Sequence, residues 1–257
     1  MTIDPATFYD GLAATYEDDF KAPHRKAYDD LCWERVDELI GSRSNLRIID
    51  VGCGVGRWAR VLVQRGHRVV GIEPSAEMFA RAQGLNLGDG FELQHATADE
   101  AEVAPDSADL VIAMGSIQYS PDPTASIATM ASWVKPGGHL VVLVDSLMSL
   151  VVELIRNDDP DQGIERLLSK RARFTAGPGT VEHHLFDAAE LNDAFVAAGL
   201  DAVSVKGLLV DWTCRPRTEA MQRLTDEPAD ALALERRLSE QPDLANLGKQ
   251  LLAVGMK

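Results

Sequence analysis

A glycine-rich turn directly after a short apolar segment is the feature that most constrains the fold of this chain. The segment Arg47–Val51 is rich in β-branched residues, as buried strands are. Glycine then occupies every second position from Gly52 to Gly56, and apolar residues at helical spacing follow. This order predicts a strand, a tight turn and a helix. Because glycine lacks a Cβ and tolerates positive φ, such a turn lets a ligand touch bare backbone.

The spacing of these glycines excludes two common nucleotide-binding turns. Gly-x-Gly-x-Gly differs from the Gly-x-Gly-x-x-Gly of dinucleotide sites, and no Gly-Lys-Ser/Thr follows as in a P-loop. A second apolar segment, Arg68–Ile72, ends at Glu73, roughly 20 residues after the turn, where an acid can accept both hydroxyls of a ribose. A nucleoside without phosphates fits best, and we predict S-adenosylmethionine. The alternative is that the glycines only allow close packing of strand and helix.

The composition indicates a globular protein kept in a reducing compartment. The 257 residues are enough for one well-buried α/β domain, and 46% of them are hydrophobic. Cys32, Cys53 and Cys214 form no Cys-x-x-Cys pair, which argues against a disulfide framework or a zinc site. No apolar run is long enough to cross a membrane, and no basic-then-apolar leader opens the sequence. We therefore expect a cytoplasmic protein without a membrane partner.

The charge of the chain is strongly acidic. Asp and Glu number 40 against 25 Lys and Arg, which gives a formal net charge of −15. Proteins that bind nucleic acid usually carry a basic face, because neutralising phosphates supplies most of the affinity. The densest basic patch, residues 170–173, could hold a phosphate or a carboxylate, or could be a solvated helix end. The balance of charge favours a small-molecule partner over nucleic acid.

Segments with strand-like and helix-like patterns alternate along the chain. Strands are predicted at residues 47–51, 68–72, 91–95, 109–114, 139–144, 202–210 and 250–256. Helices are predicted at residues 56–65, 76–85, 124–134 and 188–198. Such alternation predicts a doubly wound α/β fold, in which helices cover both faces of a mostly parallel sheet. Ligands of such sheets bind beyond the carboxyl ends of the strands, near the switch in strand order.

We predict a single domain over residues 1–257. Its four parts are a helical lid at 1–45, a cofactor-binding core at 46–145, a substrate-side insertion at 146–183 and the C-terminal part of the sheet at 184–257. The lid and the insertion fall outside the alternation and can fold over the edge of the sheet. Segments placed there often set substrate selectivity.

Successive motifs of the core resemble those of class I S-adenosylmethionine-dependent methyltransferases. In chain order they are Asp50–Gly56, Glu73, Ala98–Asp99, the strand 109–114 and Val134–Gly138. The resemblance covers residues 46–145 and is specific as a set. It implies a Rossmann-like, seven-stranded sheet whose last strand, at residues 250–256, is antiparallel. It also implies an enzyme that uses S-adenosylmethionine as its cofactor.

The resemblance further assigns roles to individual residues. The turn Gly52–Gly54 would lie against the methionine part of the cofactor, Glu73 would bind the ribose, and Ala98 with Asp99 would flank the adenine. Residues just after Met114 would face the methyl group. The expected cofactor-binding residues are Arg25, Asp50, Gly52, Cys53, Gly54, Glu73, Ala98, Asp99 and Met114.

The flanking segments resemble a narrower branch, the enzyme that methylates the carboxylate of 5-carboxymethoxyuridine in tRNA. The similar segments are 25–37, 207–215 and 234–249. In that branch an arginine matching Arg25 reaches the cofactor's carboxylate, a contact suited to a bidentate guanidinium. A surface ion pair is the alternative for Arg25. This chain departs from the branch at two places. The branch has a lysine run where this chain has Lys170–Arg173, and the branch has a histidine where this chain has Met114.

Candidates for the methyl-acceptor site lie in the lid, the insertion and the loop after the fourth strand. The substrate candidates are Tyr16, Tyr28, Gln118, Tyr119, Trp212 and Arg215. For the aromatic residues, packing in the lid or the core is the alternative. The candidates for a catalytic base are His183, His184 and Tyr119, and histidine titrates near neutrality. Adjacent residues on an extended chain point to opposite sides, so at most one of the two histidines can serve.

The predicted function is transfer of a methyl group to O, in a carboxylate or hydroxyl, or to N of a small-molecule metabolite. The sulfonium already activates the methyl, so in-line transfer depends on positioning and on exclusion of water. A carboxylate acceptor needs no base, whereas a hydroxyl or an amine benefits from one. Carboxyl methylation of a modified wobble uridine in tRNA is one alternative, and a cofactor-binding scaffold without catalysis is another. No metal is predicted, and we expect a monomer or a homodimer.

Overall fold

The computed structural model describes residues 2–177 and 179–257, and the chain begins with three helices. These are α1 (Pro5–Asp10), α2 (Tyr16–Asp19) and α3 (Pro23–Ile40). The carboxylate of Asp4 accepts the backbone N–H of Thr7 at 2.8 Å and caps α1. Helix α3 buries one face, including Leu31 and Val36, against the central sheet. The predicted helical N-terminal segment is therefore present.

The core alternates between strands and helices, as predicted. Its elements are β1 (Arg47–Val51), α4 (Arg57–Gln64), β2 (Arg68–Ile72), α5 (Ala76–Gln83), β3 (Phe91–Gln94), β4 (Ala108–Met114), α6 (Pro123–Trp133) and β5 (Val134–Asp145). Neighbouring residues of the strands enter opposite cores: Ile48 and Leu110 pack beneath one face of the sheet, and Ile49 and Val111 beneath the other. The strands are buried on both faces, which explains their continuous apolar runs.

The insertion after the core consists of two helices and a hairpin. Its elements are α7 (Leu147–Arg156), α8 (Pro160–Ser169), β6 (Arg171–Ala176) and β7 (Gly179–His184), and the last two pair antiparallel. The hairpin contacts the N-terminal segment. The backbone N–H of Ile3 donates a hydrogen bond to the carbonyl of Thr180 at 2.9 Å. The rings of Phe8 and Phe174 also lie 5.5 Å apart. The two segments predicted as lids therefore meet.

The C-terminal part returns to the sheet around a group of helices. Its elements are α9 (Ala188–Ala197), β8 (Asp201–Leu208), α10 (Val210–Cys214), α11 (Arg217–Asp226), α12 (Pro228–Ser239) and β9 (Gln250–Met256). The buried carboxylate of Glu235 accepts the backbone N–H groups of Val210 and Asp211 at 2.7 and 2.9 Å. It thereby caps the start of α10, and its burial raises its pKa to about 7.

Seven strands form the central sheet in the order β3-β2-β1-β4-β5-β9-β8. The first four pairs are parallel, and β9 runs antiparallel to both β5 and β8. The predicted seven-stranded, mostly parallel sheet with an antiparallel last strand is confirmed. The strand order reverses at the β1–β4 boundary, so a ligand is expected beyond the carboxyl ends of these two strands.

Several predicted boundaries were wrong. Strand β5 begins at Val134, earlier than predicted, and β8 ends at Leu208, before the predicted end. The predictions contained neither the hairpin β6–β7 nor the helices between β8 and β9, because their sequences carry no clear period. Within the part of the chain that the structure describes, no helix has both the length and the apolarity needed to cross a membrane.

Candidate functional site

A cavity of about 230 Å³, called the main cavity below, lies at the carboxyl ends of β1, β4 and β5. Of the expected cofactor residues it is lined by Arg25, Asp50, Gly52, Cys53, Gly54 and Met114. Of the acceptor candidates it is lined by Tyr16, Tyr28, Gln118, Tyr119 and His183. A small cavity of about 90 Å³, which Glu73 lines, shares the glycine turn with it. The fold thus brings together residues from the lid, the core and the insertion.

Two glycines of the turn have positive φ and lie close to neighbouring side chains. Gly52 has φ +69°, and a Cβ there would lie 2.3 Å from Cβ of Ser116 in the loop after β4. Gly56 has φ +79°, and its Cβ would lie 2.7 Å from Cδ1 of Leu85. Residues with a side chain rarely adopt such backbone angles, so both positions favour glycine. At Gly52 the close approach of Ser116 adds a steric clash, whereas the end of the Leu85 side chain can move away from Gly56. The packing alternative is thus part of the reason for these two glycines.

Gly54, between them, faces the cavities. It has φ +57°, and the nearest atom to a Cβ there would be Cε1 of Tyr16 at 3.6 Å. Gly54 lines both the main and the small cavity, so its bare backbone is open to a ligand on that side. This glycine is the one that suits close approach of a ligand.

Glu73 organises the turn from the end of β2. Its Oε2 accepts the N–H of Gly54 at 2.7 Å, and its Oε1 accepts the N–H of Ser75 at 2.8 Å. Each carboxylate oxygen has a further lone pair, so the side chain can still accept two ribose hydroxyls. Burial raises its pKa, although the two backbone donors and His95 oppose that shift.

Asp50, at the end of β1, is a buried acid with one unpaired oxygen. The residue is 2% exposed, and its Oδ2 has no hydrogen-bond partner within residues 2–177 and 179–257. Burial, and next the charge of Glu73, raise its pKa to about 7, and Arg57 opposes this. An unpaired oxygen of this kind suits a cationic group or a donor on a ligand. The neighbouring thiol of Cys53 is also buried, and its pKa is raised by burial.

Two arginines that line the main cavity, Arg57 and Arg25, differ in whether their guanidinium groups are paired with an acid. Arg57 forms an ion pair with Asp29 at 2.8 Å, and its guanidinium lies 3.6 Å above the ring of Phe20. Arg25 is half-buried in the cavity wall and forms no ion pair with any residue that the structure describes. A guanidinium without an acidic partner is available to bind a carboxylate of a ligand. The alternative of a surface ion pair for Arg25 receives no support from these contacts.

Tyrosines from the lid and from the loop after β4 form one wall of the main cavity. The ring of Tyr9 lies 5.4 Å from that of Tyr119 and 6.1 Å from that of Tyr16. Burial raises the pKa values of all three hydroxyls. They therefore stay protonated at neutral pH. Tyr119 itself is poorly suited to act as a base for this reason.

His183 forms a pair with Asp145, which sits at the end of β5. Its Nε2 lies 3.3 Å from Oδ2 of Asp145, and its Nδ1 is buried without a partner among the described residues. Gln118 holds the same carboxylate, donating to Oδ2 at 3.0 Å and accepting the N–H of Asp145 at 2.9 Å. Burial raises the pKa of Asp145, but His183, Lys249 and Gln118 together lower it below its usual value. Gln118 thus positions Asp145.

His184 faces the opposite side of the hairpin. Its Nε2 lies 2.9 Å from Oε1 of Glu190, and its ring packs on Phe186. It lines none of the three cavities described for this chain. Only one of the two adjacent histidines therefore faces the cavity, as strand geometry requires.

Four further candidates lie outside the main and small cavities. Arg215 is bound to Asp211 at 2.7 Å, and Asp99 is exposed in the loop after β3. Ala98 packs against the hydrophobic core. Trp212 is a buried core residue, as the packing alternative predicts, and it stacks on His24, whose ring does line the main cavity. Burial lowers the pKa of His24 to about 4, so His24 is neutral.

The basic patch 170–173 is largely neutralised. The ammonium of Lys170 contacts Asp187 at 3.1 Å and Glu190 at 2.8 Å, and Arg173 contacts Glu182 at 3.5 Å. Ala172 is buried. These acids form ion pairs with the positive charges that would otherwise bind the phosphates of a nucleic acid.

The sequence did not predict many of the residues that line the main cavity, among them Tyr9, Asp145, Lys249 and Gln250. Asp145 carried a usable signal, because it is an acid at the carboxyl end of an apolar strand, like Asp50 and Glu73. The other three carried none, since their positions depend on how the lid and the last strand meet the site.

The model of the methyltransferase domain family matches residues 24–205, which is most of the chain and includes the whole core. The chain belongs to the class I S-adenosylmethionine-dependent methyltransferases. The prediction made from the glycine turn and Glu73 is thereby confirmed for the family and for its cofactor.

Curated relatives are about a third identical to this methyltransferase over the segments that align. The ubiquinone biosynthesis O-methyltransferase of Xanthomonas euvesicatoria is 32% identical over 190 residues, 70% of this chain and 74% of that protein. The enzyme of the same name from Aliivibrio fischeri MJ11 is 32% identical over 148 residues, 54% of this chain and 62% of that protein. The match thus spans less than two thirds of the length of several such relatives.

Solved structures share the fold at lower identity. A methyltransferase of Haloferax volcanii, solved in complex with the activator Trm112, has a TM-score of 0.61 and 20% identity, covering 100% of this chain and 99% of that one. An S-adenosylmethionine-dependent methyltransferase of Mesorhizobium loti has a TM-score of 0.57 and 18% identity, covering 88% and 97%. These likenesses support the architecture of this methyltransferase.

Proposed function

We propose that this methyltransferase moves a methyl group from S-adenosylmethionine to a hydroxyl oxygen of a small-molecule acceptor. The observation that carries the proposal is the pair formed by His183 and Asp145 in the wall of the main cavity. It leaves the buried Nδ1 of His183 without a partner among the described residues. A ring nitrogen of this kind can accept the proton of a hydroxyl group. The O-methyltransferase names of the curated relatives support oxygen as the acceptor atom.

The residues present fit the cofactor. Gly54 offers bare backbone to both cavities, and Glu73 keeps two lone pairs for the ribose hydroxyls. The unpaired Oδ2 of Asp50 suits the cationic end of the methionine part, and the unpaired guanidinium of Arg25 suits its carboxylate. When bound there, S-adenosylmethionine supplies a methyl group that its sulfonium already activates. Ala98 and Asp99 remain a proposal for the adenine side, and neither lines the main or the small cavity.

The protein's own part in the reaction is positioning and movement of one proton. Asp145 accepts the hydrogen at Nε2 of His183 and so keeps Nδ1 free to act as a base. His183 takes the hydroxyl proton as the oxygen–methyl bond forms and the sulfur–methyl bond breaks. Gln118 fixes the carboxylate through its two hydrogen bonds to Asp145. This arrangement resembles other histidine–carboxylate pairs, in which the acid sets the tautomer of the base.

Exclusion of water comes from the contact between the lid and the hairpin. Tyr9 and Tyr16 cover the glycine turn from the lid, and Phe174 lines the main cavity from the hairpin. Closed sites of this kind favour transfer between two bound groups over side reactions with water.

Methylation of tRNA receives less support. The neutralised basic patch and the charge of −15 leave little cationic surface for a nucleic acid. A carboxylate acceptor would also leave the free nitrogen of His183 without a task.

The proposal is tested by measuring release of S-adenosylhomocysteine with a panel of phenols, aliphatic alcohols, amines and carboxylic acids. Turnover with hydroxyl compounds, and O-methylated products by mass spectrometry, is the expected result. Turnover confined to amines, or cofactor binding without turnover on any compound, would contradict it. The second outcome would revive the scaffold interpretation.

A further inference from the structure

A third cavity, of about 190 Å³ and called the side cavity below, opens next to the main cavity. The two share a wall made of Asp145, His183 and Lys249. The side cavity extends from that wall between helices α7 and α8 and the hairpin, where Glu153, Gln162, Arg166 and Arg173 line it. Seven of the nine cofactor candidates line the other two cavities and none lines this one, so this space is free for a part of the acceptor that does not react.

Lys249 is the cation that faces both cavities. It is half-buried, and its ammonium forms no ion pair and no hydrogen bond with any residue that the structure describes. Its Nζ lies 5.9 Å from the centroid of the Trp212 ring. By contrast Lys170, which follows helix α8 in the insertion, is paired with two acids. An unpaired, partly desolvated ammonium in a chain of charge −15 has to be balanced by a ligand or by water.

The other charges around the side cavity supply that balance only in part. The charge of Lys249 helps to lower the pKa of Asp145, but Asp145 forms no ion pair with Lys249 and is already held by His183 and Gln118. Arg166 is largely buried, with 13% of its side chain exposed, and it contacts Gln162 at 3.3 Å and Glu165 at 3.1 Å. Arg173 is exposed and forms an ion pair with Glu182 at 3.5 Å. Glu153 is the one remaining acid in the lining. Arg166 and Arg173 are thus each paired with an acid outside the lining, and Lys249 is the cation of the lining that forms no ion pair with any residue that the structure describes.

We propose that the acceptor carries a carboxylate, which binds in the side cavity against Lys249 while its hydroxyl group lies against His183. This inference rests on the proposed function, because it assigns the second end of the same acceptor. Arg166 contributes a second positive charge on the far wall, and a carboxylate accepts hydrogen bonds from both kinds of cation. The acceptor class is thus a hydroxy acid. Its carboxylate lies in the side cavity, and its hydroxyl group lies in the main cavity, on the other side of the shared wall.

The test is binding of matched ligands to the complex of the enzyme with S-adenosylhomocysteine, measured by calorimetry. The ligands are hydroxybenzoates and hydroxycinnamates, each beside its neutral amide. For the enzyme as it exists, the carboxylates should bind at least about tenfold more tightly than the amides, since charge-assisted hydrogen bonds are the stronger ones. Lys249→Met should remove this preference, and Lys249→Arg should keep most of it.

A matched control separates local from general charge effects. Lys206→Met removes one positive charge from a lysine that is paired with Glu240 and lies outside all three cavities. It should leave the preference unchanged. Unchanged binding of S-adenosylhomocysteine shows that each variant is folded.

Three outcomes overturn the inference: no carboxylate of the panel binds, the amides bind equally well, or Lys249→Met keeps the preference. A methyl ester as the product would also overturn it, because the carboxylate would then be the group that reacts. These results differ from failure of the proposed function, which shows as absent S-adenosylmethionine binding or absent O-methylation.

Discussion

The Nε2 of His183 lies 3.3 Å from Oδ2 of Asp145, and this contact joins the hairpin β6–β7 to the carboxyl end of β5. It places a histidine from the insertion and an acid from the core in one wall of the main cavity. His184, the next residue, is held by Glu190 on the other side of the hairpin. Substitution of His183 therefore tests the role of this contact, and the same substitution of His184 is the control.

His183→Gln should reduce the rate of methyl transfer to a hydroxyl acceptor by about 10²–10⁴-fold, the usual contribution of a general base. S-adenosylmethionine binding should change little, because His183 does not line the small cavity that Glu73 shares with the glycine turn. The rate and the cofactor affinity are measured by S-adenosylhomocysteine release and by calorimetry. In the control, His184→Gln should keep the rate within a few-fold. Equal rate losses in the two variants would contradict the assigned role.

The sequence predicted the parts of this site that a motif carries. The glycine turn, Glu73 and the end of β4 all follow directly from a strand, so their position at one edge of the sheet could be inferred. Asp145 ends a strand in the same way, and a systematic search for such acids finds it. The alternation of a strand also predicted that at most one of His183 and His184 would lie in the site.

Substitution at Gly52 should destabilise the protein more than substitution at Gly66. Both residues have positive φ, but a Cβ at Gly52 would lie 2.3 Å from Ser116, whereas nothing lies within 4 Å of one at Gly66. Gly66→Ala should lower the free energy of unfolding by about 1–2 kcal/mol, the cost of the backbone angle. Gly52→Ala should add about 1–3 kcal/mol of overpacking.

Denaturant unfolding of the two glycine variants gives the comparison. The double variant Gly52→Ala with Ser116→Gly should recover part of the loss, because it removes the clashing Cβ. Equal losses for Gly52→Ala and Gly66→Ala would show that the approach of Ser116 has no energetic weight.

Cofactor binding should release a proton near pH 6. Burial raises the pKa of Asp50 to about 7, so the acid is mostly protonated at pH 6 in the free enzyme. A cationic group beside its unpaired oxygen favours the ionised form and lowers this pKa. The affinity for S-adenosylmethionine should therefore rise between pH 6 and pH 8, as the proton no longer has to be displaced.

Calorimetry at pH 6 in two buffers with different enthalpies of protonation measures the released proton directly. Asp50→Asn should reduce the release and flatten the dependence on pH. The same enthalpy in both buffers for the unmodified enzyme would argue against a cation at Asp50.

The lid should be held in place by Asp10. Its Oδ1 accepts the hydroxyl of Ser75 at 2.6 Å and the N–H of Glu77 at 3.0 Å, beside the start of α5. Asp10→Ala should weaken cofactor binding by several-fold, mainly through a faster dissociation rate, because a looser lid opens more often. Asp18→Ala, which breaks only an exposed ion pair with Lys21, should leave that rate unchanged. Stopped-flow dissociation of a fluorescent cofactor analogue distinguishes the two.

The rest of the site could not be predicted, because it depends on tertiary contacts without a local signal. Tyr9 lines the main cavity only because α1 packs between α5 and the hairpin, and Lys249 does so only because it precedes the antiparallel strand β9. Trp212 and Arg215 occur in a segment with suitable chemistry, yet α10 directs them to the core and to Asp211. Composition alone does not distinguish these outcomes.

The most direct test of the account is calorimetric titration of S-adenosylmethionine into the unmodified enzyme, Glu73→Ala and Glu77→Ala. Glu73 is buried and holds the glycine turn, whereas Glu77 is an exposed acid on the neighbouring helix. The account predicts saturable binding to the unmodified enzyme, the same affinity for Glu77→Ala, and at least about tenfold weaker binding for Glu73→Ala, since hydrogen bonds to a charged acceptor are lost. No binding to the unmodified enzyme, or equal affinity for Glu73→Ala in a folded variant, would contradict it.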